Sequence, residues 1–483
     1  MWNFAGLTAP MFFALVCIPI IIRGMGIERF GVLNIAWMIV GYFTFFDLGL
    51  GRALTRIIAE RLSQEDKGEL SRLTWSGTML MLLFGIVGGS VLCILSPWFV
   101  SEVFKVPKSF EQETYNTFYI IAFSIPILVS TAGFRGILEA HQRFDLANVV
   151  RVAIGVFTFL APIFILPFSQ DLFWITLALV FGRFLVLIAY VIMCMVVMPN
   201  LRSKVIIDYR AAVFLLRSGG WMMVSNVISP VMIWLDRFLI GAMLSMAAVA
   251  YYSTPWEVVT KLLTVPSAVA AVLFPIFSYS FSGSPQKSVI MFWQGVKYVF
   301  LSLFPLVLLC VTFAKEGLAV WLGYEFAENG FLVMQLLAMG VLFNGLAGIP
   351  FAYIQGIGKP DITAKIHFVE VILYVPCTYM LIRKFGITGA ALSWMVRMGI
   401  DSIVLYIFAR RNMDSRSAQS LKQVWPIILF LMLLALSMIS LPFVVKVLFF
   451  ALTLLVFVLI GWFVIIEVNE REQIGDMLTS FFK

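Results

Sequence analysis

The sequence predicts an all-α polytopic membrane protein with about fourteen transmembrane helices, and three observations carry that prediction. Hydrophobic residues fill 61% of the 483 positions and charged residues only 12%, against roughly 25% charged in soluble domains. Apolar runs of about 18 to 25 residues recur from Asn3 to Ile466, each able to cross about 30 Å of hydrocarbon at ~1.5 Å per residue. These runs are continuous rather than alternating in segments of about ten, so the pattern is not that of a β-barrel.

Taken in order, the helices centre near residues 13, 41, 84, 126, 158, 185, 230, 264, 303, 341, 375, 399, 433 and 456. The first, from Asn3 to Ile22, has no basic stretch before it and no small-residue cleavage site, so it reads as an uncleaved helix rather than a signal peptide. Lys and Arg set the orientation. With the N-terminus inside, 21 of the 34 basic residues fall in inner loops and termini, 8 in outer loops and 5 within spans, which places both termini in the cytoplasm. The inner segment Arg52 to Arg72 holds Arg52, Arg56, Arg61, Lys67 and Arg72, whereas the outer segment Ser96 to Tyr115 carries Glu102, Glu111 and Glu113 beside two lysines.

A weak internal repeat pairs Gly136 with Gly356, Trp37 with Trp256 and Arg183 with Arg397 at similar offsets. The expected organisation is therefore two six-helix bundles, 1–200 and 201–412, related by a pseudo-twofold parallel repeat. Residues 413–483 would add two further helices and a cytoplasmic tail. Prolines inside several helices, among them Pro126, Pro162, Pro255 and Pro350, would bend them or open backbone groups to a cavity.

Several function classes are disfavoured. Cys17, Cys93, Cys194, Cys310 and Cys377 all lie in apolar runs without metal-ligand spacing, so neither a disulfide framework nor a zinc site is expected. The net charge of +8 sits in short loops between spans, as membrane topology requires, so no nucleic-acid partner is expected. Neither His141 nor His367 has a metal-binding cluster around it in the sequence, and the glycines from Gly49 to Gly51 lack the Gly-Lys-Ser/Thr ending of a phosphate loop. No loop is long enough to house a separate soluble domain. An enzyme is not expected.

Charges within the spans are then the candidates for function, because each costs about 2.5 to 3.5 kcal/mol at a helix centre on insertion scales. Arg183 has no acidic residue within helical reach, and a guanidinium that stays charged presents a planar fork of donors to phosphate. Arg183, Arg397, Arg237 and Lys261 are the candidate substrate-binding residues, for an anionic cargo. Asp236, Glu257 and Glu370 are the candidates for coupling to H⁺ or Na⁺. The i,i+4 spacings of Glu257 with Lys261 and of Arg397 with Asp401 predict an ion pair on each helix. No other cofactor is expected.

Arg23-Gly-Met-Gly-Ile-Glu-Arg-Phe-Gly31 and Phe46-Asp-Leu-Gly-Leu-Gly-Arg-Ala-Leu-Thr-Arg56 resemble the opening of the polysaccharide transporter, or O-antigen flippase, family of the multidrug/oligosaccharidyl-lipid/polysaccharide exporter superfamily. Leu235-Asp-Arg-Phe-Leu-Ile-Gly241, Val249-Ala-Tyr-Tyr252 and Gly358-Lys-Pro-Asp361 extend the resemblance over the first twelve helices. It implies a V-shaped cavity between two bundles that rock, and a cargo of oligosaccharide on undecaprenyl pyrophosphate in a bacterial inner membrane. It also implies membrane lipids, a polysaccharide polymerase and chain-length machinery as partners, and a family signature at Asp47, Arg52 and Arg56. A multidrug or toxin exporter is the alternative on the same scaffold, and a membrane glycan polymerase or ligase a more distant one.

Overall fold

The computed structural model describes residues 2–45, 50–62, 67–202, 205–283, 285–413, 420–467 and 470–472, and every regular element among them is helical. Two compact units divide the chain, Met1–Ser253 and Thr254–Lys483. The first holds α1 (Trp2–Met25), α2 (Ile27–Phe45), α3 (Leu50–Leu62), α4 (Lys67–Trp98), α5 (Glu111–Ala140), α6 (Phe144–Ile165), α7 (Leu172–Val197) and α8 (Tyr209–Met243), with α9 (Met246–Val259) beginning in it. The second holds α10 (Thr264–Gly283), α11 (Pro285–Thr312), α12 (Ala314–Leu322), α13 (Tyr324–Gly356), α14 (Pro360–Arg411), α15 (Ser420–Leu436) and α16 (Phe443–Ile460).

Each expected helix centre falls within one of these helices. Among the described residues nine helical segments are long and apolar enough to cross a membrane, and Pro10–Met25 and Trp425–Leu436 are shorter apolar helices. The segment Arg52 to Arg72, read from the sequence as an inner loop, folds in part into α3. Its apolar residues Leu50, Leu54, Ile57 and Ile58 recur at helical spacing and are all buried, which is what draws a basic segment onto the bundle.

Each unit is built around one helix. In the first, α5 packs against α4, α7, α3 and α2; in the second, α13 packs against α14, α11, α10 and α12. Within their apolar windows these two are 67% and 72% buried, against 17% for the segment containing α16, so the hubs are protein-covered and α16 presents its surface to lipid. Gly136 lies near the C-terminal end of α5 and Gly356 ends α13, so this repeat pair occupies like places in the two hubs.

One continuous stretch, α14, is two helices rather than one. At Gly386 the backbone takes φ 61° and ψ −141°, a left-handed region open to glycine. The chain folds back there, and the Thr378 and Ser393 hydroxyls meet at 2.7 Å on opposite arms. Residues far apart along α14 thereby become neighbours.

Candidate functional site

In the first unit, α7 buries one face through Leu172, Ile175, Thr176, Leu179 and Gly182, the spacing of a helix with a single covered stripe. Arg183 follows Gly182 at the border of that stripe and is half-buried. Among the described residues it makes no hydrogen bond and no ion pair, so its donors are free for water or an anion. Asp236 and Arg237 lie near the C-terminal end of α8, both almost fully buried. The Tyr252 hydroxyl donates to Asp236 Oδ2 at 2.6 Å. Arg237 donates through Nη1 to the Ile233 carbonyl at 3.3 Å and lies 4.6 Å from the Trp234 ring centroid. Of the family signature, Arg56 is exposed and pairs with Glu60 at 2.7 Å, on its own helix. Asp47 and the Arg52 side chain lie outside the described residues.

A second polar cluster in this unit was not singled out in the sequence. Arg29 Nε donates to both Glu113 oxygens at 3.1 Å, and Glu113 Oε1 accepts the Leu172 backbone amide at 2.6 Å. This ties α2, α5 and α7 together at one end. The signal was present, since Arg29 sits in the opening motif and Glu113 in the acidic segment, but a separation of 84 residues hides the pairing.

In the second unit Lys261 and Glu257 pair at 3.3 Å, as their spacing predicts. The other predicted pair does not form. Arg397 Nε donates to Glu370 Oε2 at 3.3 Å rather than to Asp401, and the guanidinium lies 4.9 Å from the Tyr374 ring centroid. The reason is the fold at Gly386, which brings a carboxylate from the first arm of α14 against the second. Asp401 Oδ1 instead lies 4.0 Å from His367 Nε2.

His367 therefore has the acidic neighbours that linear reading denied it: its ring nitrogen and one oxygen each of Glu370 and Asp401 all lie within 4.8 Å of one another. The Phe351 ring stacks on the imidazole at a centroid distance of 5.8 Å. Glu370 Oε1 and Asp401 Oδ1 are buried without a hydrogen-bond partner. Buried acceptors of this kind are rare in folded proteins, where polar groups are paired with few exceptions. The arrangement can hold a cation or a proton in the low-dielectric interior, while Arg397 offsets one of the two negative charges.

Comparison with known proteins gives a consistent assignment. The family model described as polysaccharide biosynthesis protein matches residues 1–281. A relative named as an O-antigen transporter of Shigella flexneri is 31% identical over 411 residues, covering 84% of this chain and 95% of that protein. One named as the flippase AglR of Haloferax volcanii is 22% identical over 395 residues, covering 80% and 77%. Among solved structures, the lipid II flippase MurJ in an inward closed conformation superposes with a TM-score of 0.76 at 12% identity, over 95% of this chain and 98% of that one. An inward-facing multidrug-resistance transporter of the MATE family gives 0.72 at 14% identity, over 86% and 99%. At those identities the two structures speak to the fold alone. The chain belongs to the polysaccharide biosynthesis protein family, as a multi-pass membrane protein of the transporter and flippase type and not an enzyme.

Proposed function

We propose that this protein flips an oligosaccharide linked to undecaprenyl pyrophosphate from the cytoplasmic to the outer leaflet of a bacterial inner membrane, by alternating access coupled to an ion gradient. The observation that carries the reading is Arg183, a half-buried guanidinium within an apolar helix that has no protein partner among the described residues. A permanent cation so placed loses solvation that only water or an anion restores, and pyrophosphate suits its donor geometry. Membership of the family and the relatives named for O-antigen transport and for flippase activity support the lipid-linked glycan as the cargo. On this reading Arg397 is less available than Arg183, because Glu370 already accepts from its Nε. Both termini lie in the cytoplasm, and the polymerase and chain-length machinery receive the product outside.

The test is reconstitution into vesicles holding fluorescently labelled lipid-linked glycan, with an impermeant quencher reporting the leaflet. Arg183→Gln folds and inserts normally and lowers the flipping rate about tenfold or more, the loss expected for a hydrogen-bonded charged contact of 1.5 to 3 kcal/mol. An unchanged rate would remove Arg183 from the path. A cationic amphipathic drug is the competing cargo on this fold; saturable drug transport with no glycan movement would overturn the flippase reading.

A further inference from the structure

Among the described charged clusters outside the Arg183 region, one is both unbalanced in charge and deeply buried. Arg56 with Glu60, Arg61 with Glu69, Lys297 with Glu470 and Lys446 with Glu316 each match one charge with another. The group of His367, Glu370, Arg397 and Asp401 does not. Two carboxylates face one guanidinium, which leaves one negative charge in excess when the imidazole is neutral. Glu370 has only 10% of its side chain exposed and Asp401 only 11%. The excess charge has little solvent to disperse it.

The same group has an excess of acceptors. Arg397 takes Glu370 Oε2, and of the three oxygens that remain Glu370 Oε1 and Asp401 Oδ1 are buried and without partners. One oxygen of each carboxyl lies within 4.8 Å of the other, and neither can donate while ionised. A single added proton corrects both faults at once. It removes the excess charge and turns one carboxylate into a donor to the other. A divalent ion would leave the group positive. A sodium ion asks for a shell of about six hard oxygen ligands, whereas the cluster offers three uncommitted carboxylate oxygens and an imidazole. The nearby Thr378 and Ser393 hydroxyls are engaged with each other.

Among the described residues, the neighbours of the group supply no other charge to take that place. On the first arm of α14 the group is bounded by Tyr374, and on the second by Met398, to which Asn344 of α13 donates. From α13 the face on His367 is the Phe351 ring. Where α9 reaches α14, through Trp256 against Trp394, Glu257 and Lys261 pair with each other. Among the described residues, the titratable groups grouped with Asp401 within 4.8 Å are Glu370 and His367. His367 differs from the rest of the cluster in being 31% exposed, which gives it a route to water while its Nε2 lies 4.0 Å from Asp401.

We propose that Glu370 and Asp401 form a one-proton site, with the proton on Asp401 in the loaded state and His367 as the relay between that site and water. This rests on the ion-coupled reading above and deepens it by naming the ion and its seat. Loading takes one proton from water to the imidazole, and from the imidazole to Asp401, leaving His367 neutral. Release reverses the two transfers. No electron moves and no covalent bond other than O–H and N–H forms or breaks.

The experiment reads the site directly and separately from transport. Purified protein in lipid nanodiscs is examined by infrared difference spectroscopy at neutral pH, following the carbonyl stretch of a protonated carboxylic acid and its shift in D₂O. We expect such a band in the unaltered protein, its loss in Asp401→Asn, and its survival in His367→Gln with slower exchange into D₂O. The absence of the band at neutral pH, its persistence unchanged in Asp401→Asn, or its removal by sodium at constant pH would each overturn the proposal. Size-exclusion and thermal-melting profiles establish that the variants fold; should Asp401→Asn fail to, Glu370→Gln provides the second test, with the band shifted rather than unchanged. In vesicles, the ratio of glycan flipping with and without an imposed pH gradient falls about tenfold in Asp401→Asn, a coupling of ordinary size. A carboxylic-acid band without any glycan movement keeps the proton site and rejects the flippase reading. Gradient-driven flipping that survives loss of the band keeps the flippase and rejects the site.

Discussion

At the scale of single residues, the ion pairs divide by whether sequence spacing could announce them. Glu257 with Lys261 and Arg56 with Glu60 are one helical turn apart and form as spacing suggests. Arg397 satisfies the same rule with Asp401 and breaks it, because a carboxylate 27 residues away in sequence is closer in space. Lys297 is a further example, buried on α11 and bonded at 2.5 Å to Glu470, 173 residues later. Burial pushes the Glu470 carboxyl up, but hydrogen bonds from Lys297, the Glu467 amide and Tyr298, together with the lysine charge, outweigh it and hold it below its ordinary 4.5. A carboxylate depressed on folding stabilises the folded contact above its unfolded pKa, and that contribution is lost as pH falls through the lower folded value. Amide hydrogen exchange at residues 470–472 should therefore be slow at neutral pH and accelerate, after correction for intrinsic rates, on acidification below 4.5. Lys297→Met should abolish the pH dependence of that protection. A flat profile from about pH 7 to about pH 3 would mean the contact does not hold the segment.

At the scale of elements, the helices were legible because lipid leaves the backbone few alternatives, and continuous apolar runs display them. Amphipathic α3 was less so, because its charge outweighs its apolar stripe in any average. The opening motif shows how a family signature can be structural. Arg29 within it binds Glu113, and Gly31 lies where α2 passes the start of α9. A Cβ on Gly31 would stand 1.9 Å from the Met246 carbonyl oxygen, a backbone atom that no rotamer change can move aside. Gly31→Ala should accordingly destabilise the first unit by about 1 to 3 kcal/mol, as overpacking does elsewhere, and lower the melting temperature in detergent. A melting temperature equal to the parent's would show that the two segments separate at little cost. The proton cluster was hidden at this same scale. Glu370 was visible as a charge within a span, and the separate helix centres near 375 and 399 already put a reversal between it and Asp401, but which side chains meet across that turn depends on the register set at Gly386, which linear spacing does not show.

At the scale of the whole molecule, the direction of transport depends on orientation, and orientation can be argued from one helix and its flanks. The segment Lys108–Ala140 contains α5, whose 30 residues span about 45 Å at ~1.5 Å per residue. That exceeds about 30 Å of hydrocarbon, so the two ends of α5 emerge on opposite sides. One end adjoins Glu102, Glu111 and Glu113, and the other adjoins Arg135, Arg143 and Arg151. Basic residues are retained on the cytoplasmic side during insertion, a rule that predicts the arginine end inside and the acidic end outside. In a variant with the five native cysteines replaced, a cysteine at Ser109 should react with an impermeant maleimide in intact spheroplasts. One at Gln142 should react only after permeabilisation. Both positions are exposed, so a silent site cannot be blamed on burial. The reverse pattern would invert the chain, present the acidic end to the side where lipid-linked sugars are assembled, and end the proposal that cargo moves from the cytoplasmic leaflet outward.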